Sequence, residues 1–166
     1  MTREKRSEDA LRGASLCLHY EIWMLTTLAR GLSAGIAGQG VINNALVESF
    51  VIHARALLYF LYAESPHPDD VIAEDFLPAP DEWAKIRSPK TELPKTTHKR
   101  VGKEAAHLTY ARLHVTPETK GWAFLQIEED IGTALSRFLE VVPKSLLGPR
   151  WGELKKQWAD ANKERA

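Results

Sequence analysis

Arg100 and His107 stand seven positions apart in His98–Arg112, HKRVGKEAAHLTYAR, a stretch that reads as a helix. At about 100° per residue, seven steps fall roughly 20° short of two turns, so both side chains leave one face about 10 Å apart along the axis. An arginine fork grips a phosphate, and a histidine moves a proton near neutral pH. Together they point to phosphate binding or phosphodiester chemistry, with Arg100 holding the phosphate and His107 acting as base or acid. Glu104 and His114 share their band on the helix, beside an apolar stripe of Val101, Ala105, Leu108 and Val115. That puts the band at the edge of a core, where a cleft or a dimer seam would lie. Both residues lie off the core stripe, so truncating either is expected to abolish activity and leave the thermal midpoint nearly unchanged. The simpler alternative is an ion pair between Arg100 and Glu104, one turn apart.

Four long helical patterns, with a shorter fifth, must position these groups. The first runs from about Ser7 to Leu32, with Ser7 as N-cap, acids after it, and Leu11, Leu18, Ile22, Leu25, Ala29 and Leu32 as its inward stripe. GLSAGIAGQG then reads as a loop. The second, about Val41 to Glu64, turns Val47, Phe50, Ala54, Leu57 and Leu61 inward, and Ile52, Leu58, Tyr59 and Tyr62 carry apolar character around the cylinder. Such a helix sits centrally in its bundle. Residues 65–94 hold six of the nine prolines and form no single regular element, with DDVIAEDF and PDEWAKI as short helical turns. A connection this long is commonly functional or mobile. The third helix, about Lys95 to His114, carries the Arg100/His107 pair. The fourth is expected to start at Thr116 as N-cap, with Pro117 in the first turn and Glu118 next. Phe124, Ile127, Ile131, Ala134, Leu135, Phe138 and Val142 line its inner face, and Glu129, Thr133 and Glu140 its outer one. A short last helix from Pro149 presents Trp151, Leu154 and Trp158. No strand-like alternation and no repeat is present, so the chain reads as an all-α four-helix bundle in one domain, 1–166.

The bulk numbers narrow the function. Lys plus Arg and Asp plus Glu are both 22, a formal net charge of zero, which argues against a broad basic surface for duplex nucleic acid but allows a local basic cleft. The single cysteine, Cys17, makes no internal disulfide and no cysteine cluster for zinc. The charged start MTREKRSEDA is followed by no signal core. The longest apolar-rich run, Ala54 to Ala63, is too short to span a bilayer and contains Arg55. These features lead to the expectation of a cytoplasmic protein without membrane association.

Further constellations have bland and functional readings. Glu48 and Arg55 lie two turns apart on the second helix, which suits a buried ion pair. Alternatively Arg55 or His53 joins the Arg100/His107 cleft as a second phosphate contact. Glu21, beside Tyr20 and Trp23, is similarly ambiguous. Glu104-Ala-Ala-His107 is a Glu-x-x-His, but a di-metal bundle needs two such motifs and no second exists. His67 with Asp69 and Asp70 reads as a helix-starting loop. The glycines of GIAGQG lack the strand and the Lys-Ser/Thr pair of a phosphate loop. No serine sits in a nucleophile elbow, and Cys17 lies mid-helix.

The four-helix pattern, the Arg-x6-His spacing and the AHL context of the third helix resemble the HEPN superfamily. Many of its members are metal-independent ribonucleases of toxin–antitoxin, abortive-infection and CRISPR systems, with an arginine and a histidine separated by four to six residues. The resemblance covers roughly Ser7 to Val142, and its specific part is the third helix, where Arg100 and His107 match the two motif positions. Val101 stands where the family often has a polar residue. The resemblance implies a homodimer whose two Arg/His pairs line one cleft, RNA as substrate or ligand with the 2′-hydroxyl attacking the adjacent phosphodiester, no cofactor, and a cognate antitoxin-like partner. Glu104, Arg55 and His53 are the further candidate substrate contacts. The alternatives are a non-catalytic protein-interaction module using the Pro-rich segment or the Trp151/Trp158 helix, and a metal-dependent nucleotide-processing enzyme built on Glu128, Glu129 and Asp130.

Overall fold

The computed structural model describes residues 3–79, 81–116 and 119–152. The protein is all-α, with no strand among the described residues. Helices α1 (Glu8–Ser33), α2 (Val41–Tyr62) and α5 (Phe124–Val141) pack pairwise on one another, and the shorter α4 (Glu92–Arg100) lies against α2 and α5. The α1 stripe is buried at all six expected positions. Ser7 caps it, its hydroxyl accepting from the Ala10 amide at 3.2 Å, with Glu8 and Asp9 in the first turn.

Helix α2 is the central element. By length and mean hydropathy, 1.4 over its best window, it is long and apolar enough to cross a membrane, contrary to the short run read from the sequence. Here its apolar residues serve the core: Phe50, Val51, Ala54, Leu57, Leu58, Phe60 and Leu61 are buried from contact with three other helices.

The Pro-rich connection is anchored to this core. It folds as a 3-10 turn, Ala73–Phe76, and a short helix α3, Glu82–Ile86, the two turns the sequence predicts. Phe76 and Trp83 reach in from them to meet Phe60 of α2 and Phe138 of α5. Phe138 lies edge-on to all three, at ring-centroid distances of 5.1 Å to Phe60, 5.7 Å to Phe76 and 5.8 Å to Trp83. Trp83 Nε1 and Arg87 Nη1 both donate to the Leu61 carbonyl, at 2.8 and 3.0 Å, satisfying an acceptor in the last turn of α2. Arg3 secures the loop before them, donating to the Asp70 carbonyl and the Asp75 carboxylate, each at 2.6 Å. The described residues of 72–79 and 81–87 are therefore tied into the core. Trp151 is likewise buried, edge-on to His19 at 5.9 Å, which makes it core and not an open contact surface. Leu154 and Trp158 lie outside the described residues.

Two boundaries differ from expectation. Helix α4 begins three residues earlier, at Glu92, because Pro94 falls in its first turn, where no amide donor is required. It also ends far sooner. After Arg100 the backbone widens into a π-helical turn, Val101–Ala106, and His107 is already extended at φ −126°, ψ 145°. The cause is side-chain competition. Thr109 Oγ1 donates to the Lys103 carbonyl at 2.7 Å and Arg112 Nη2 to the Ala105 carbonyl at 3.0 Å, taking acceptors that further helix would need. A 3-10 turn, Tyr110–His114, follows. Thr116 caps no helix: its carbonyl accepts from the Thr119 and Lys120 amides at 3.1 and 2.8 Å in an isolated turn, and α5 starts only at Phe124. Pro117 and Glu118, expected in that helix, lie outside the described residues.

The Phe138 nexus ties α2, α5 and the Pro-rich connection into one unit. Phe138→Ala is expected to lower stability by about 3–5 kcal/mol, the usual cost of an aromatic core truncation. Urea unfolding measures this, and a loss below roughly 1 kcal/mol would mean that the cluster does not bind these elements together.

Candidate functional site

Arg100 is the most heavily bonded side chain near the predicted site. Its Nε and Nη2 grip both oxygens of Glu104, at 3.0 and 2.9 Å. Nη2 and Nη1 also donate to the carbonyls of Thr119 and Gly121, at 3.0 and 3.2 Å. The guanidinium stacks over the Trp122 ring with its carbon 3.9 Å from the centroid. One planar cation thus joins the π-helical turn to the 119–122 loop and holds that loop out of helix. Four of its five N–H donors are spent on the protein, which leaves no fork for a phosphate.

The shared helical face of Arg100 and His107 does not exist in the structure. The helix stops before His107, which stands exposed on the extended link to the 3-10 turn. Leu108, expected on the apolar stripe, is 92% exposed, whereas Val101 is fully buried. The ion pair of Arg100 with Glu104, the simpler alternative, is the arrangement present.

Beside this hub lies a cleft of about 730 Å³, a size that suits a nucleotide, between the first half of α2, the π-helical turn and the 112–124 segment. Asn43, Asn44 and Glu48 line it from α2, Glu104 from the π-helical turn, and Arg112, Lys120 and Trp122 from the segment opposite. The amides can meet the donor and acceptor edges of a base. Among the described residues Lys120 has no ion-pair partner, and Arg112 spends Nη2 alone, on the Ala105 carbonyl. Neither Arg100 nor His107 lines the cleft; Arg100 builds its wall from behind.

The other predicted residues separate. His53 turns away to Glu21, Nδ1 to Oε2 at 2.7 Å, with the Tyr20 ring edge-on at 5.7 Å. Arg55 forms no ion pair with Glu48, and is close enough to His98 on α4 to act on its charge. Neither joins Arg100. Asp70 accepts from the Tyr59 hydroxyl at 2.7 Å and from the His67 amide at 2.6 Å, so the His67–Asp70 cluster is a closed turn. Glu128 is buried, while Glu129 and Asp130 are tied to Gln126. Among the described residues no group of three or more His, Cys, Asp or Glu is placed to hold a metal ion. Cys17 is exposed on α1.

Sequence reasoning missed Arg112, Lys120 and Trp122. A signal was present: residues 98–120 carry Lys99, Arg100, Lys103, Arg112 and Lys120 against Glu104 and Glu118 in a chain that is neutral overall. No family model matches the chain, and no curated protein or solved structure matches it either.

The expectation that Arg100 can be truncated without structural effect is reversed by this geometry. Arg100→Ala should cost about 2 kcal/mol, from charge-assisted bonds lost at half-buried Glu104, and lower the Tm by roughly 4–8 °C. Arg100→Lys should recover only part of this, because an ammonium keeps the charge and loses the fork. An Arg100→Ala protein that melts with the wild type would contradict the hub.

Proposed function

We propose that the chain is a HEPN-like RNA-binding domain that holds a single-stranded segment in the cleft between α2 and the 112–124 segment. The observation that carries this reading is the make-up of that cleft: two basic groups, Arg112 and Lys120, face paired amides and an indole in a space of nucleotide size. Lysine and arginine meet phosphates, the Trp122 indole offers a surface for a base, and Asn43 and Asn44 read base edges. Binding is better supported than cleavage. A cleaving site needs a base or acid at the phosphate, and His107 lies outside the cleft while Arg100 is spent on Glu104, Thr119, Gly121 and Trp122.

Fluorescence anisotropy with a labelled single-stranded RNA tests the reading. The double variant Arg112→Ala/Lys120→Ala should bind at least about tenfold more weakly and reduce the salt slope by about 1.4, the loss of two phosphate contacts on a single strand. His107→Ala should bind like the wild type. No binding at low salt, or a double variant as tight as the wild type, would overturn the proposal.

A homodimer belongs to the same proposal. Leu108, Tyr110 and Leu113 are 92%, 88% and 78% exposed on one short arm beside the cleft, an apolar surface of the kind that marks a protein contact. A second copy of the chain, related by a two-fold, is the occupant this reading assigns to it, since closed two-fold dimers are the commonest assembly. Light scattering should return twice the monomer mass for the wild type and the monomer mass for Leu108→Asp/Leu113→Asp. A wild type that is monomeric at micromolar concentration would remove the dimer and leave the cleft intact.

A further inference from the structure

A second set of basic side chains sits further along α2, away from the cleft. Arg87 and Lys90, on the link between α3 and α4, both stand over the Tyr62 ring, at 5.2 and 5.6 Å from its centroid. Helix α4 packs on α2, and Arg55 of α2 and Lys90 are both close enough to His98 of α4 to act on its charge. All four basic groups are half-buried, yet among the described residues none of them has a carboxylate in an ion pair. Opposing charge comes from Glu64, which acts on Lys90, from Glu74, whose carboxylate Arg87 acts on, and from Asp130, which acts on Tyr62; Lys95 adds a further positive charge.

The imidazole is the second observation. His98 Nδ1 is buried and has no hydrogen-bond partner among the described residues. A buried polar atom left unpaired is uncommon and costly, and here Lys90 and Arg55 are close enough to act on its ring. Burial, then Lys90 and Arg55, holds the His98 imidazole below its ordinary value, and burial with Arg87 and Lys95 does the same to the Lys90 amine, partly opposed by Glu64. The protein alone thus holds these groups in an environment that disfavours their charged forms. A nearby anion would favour the charged forms of both His98 and Lys90.

We propose that Arg55, Arg87, Lys90 and His98 form an oxyanion site between α2 and α4 that takes a phosphate group. Phosphate is the class that fits: it offers several acceptor oxygens to guanidinium forks and an ammonium together, and it accepts from an imidazole N–H. The group has two sources, a free phosphate or phosphomonoester, and a phosphodiester of a strand running along α2 from the cleft. The second source rests on the RNA reading and the first does not.

The test uses the full-length protein in phosphate-free buffer. Inorganic phosphate should raise the Tm of the wild type by roughly 2–4 °C over chloride at equal ionic strength. Lys90→Gln and Arg55→Gln should lose that rise, and each should melt at or above the wild type without phosphate, because removing one cation relieves repulsion. A merely structural cation cluster would instead melt lower on substitution. If phosphate gives no rise, but both variants weaken binding of single-stranded RNA about threefold or more and RNA moves the His98 ring resonances, the site holds a phosphodiester. A phosphate rise in a protein that binds no RNA keeps this site and rejects the RNA reading. No phosphate response together with unchanged RNA binding in the variants overturns the site.

Discussion

The Arg100 guanidinium is the constraint on which the candidate site depends. A planar cation with five donors can join elements only where acceptors converge in its plane, and here a carboxylate, two loop carbonyls and an indole face do so. The loop carbonyls it holds are those a continuing helix would have used. The 119–122 loop therefore stays open beside the π-helical turn, and Trp122, Lys120 and Glu104 come to line one cleft. The residue whose type first suggests phosphate chemistry serves instead as the brace of the cleft wall.

That brace needs a rigid floor, which the apolar helices supply. Phe138 holds α2, α5 and the Pro-rich connection at one point, and the connection carries Arg87 and Lys90 to Tyr62. The Pro-rich connection, which forms no single regular element, thus sets the position of two cations. Helix α2 contributes to both regions along its length, with Asn43, Asn44 and Glu48 at the cleft and Arg55 and Tyr62 further on.

Much of the fold was legible because its burial is periodic. The α1 stripe from Leu11 to Leu32 and the α5 stripe from Ile127 to Val142 recur at helical spacing, and Ser7 marks a start by its own side chain. The segment 101–123 was not legible for an equally physical reason. Its residues have helix-compatible spacing, but Thr109, Arg112 and Arg100 send side chains to main-chain carbonyls several positions or a whole loop away. Such bonds are tertiary events that leave no trace in periodicity. Placing Arg100 and His107 on one face required seven unbroken α-helical steps, but the α-helix ends at Arg100, and a π-helical turn leads to an extended His107. Conversely, the pairing of Arg100 with Glu104 was visible from their one-turn spacing and survives the widened turn.

The central claim is that RNA occupies the cleft beside Arg100 and not the exposed histidine arm. Photo-cross-linking of a single-stranded RNA carrying a reactive base, read by mass spectrometry, tests this most directly. Cross-links are predicted at Trp122 and Lys120, with a weaker set on the 43–48 stretch of α2. Cross-links confined to the His107–His114 arm, or to α1 around Tyr20 and Trp23, would contradict the account.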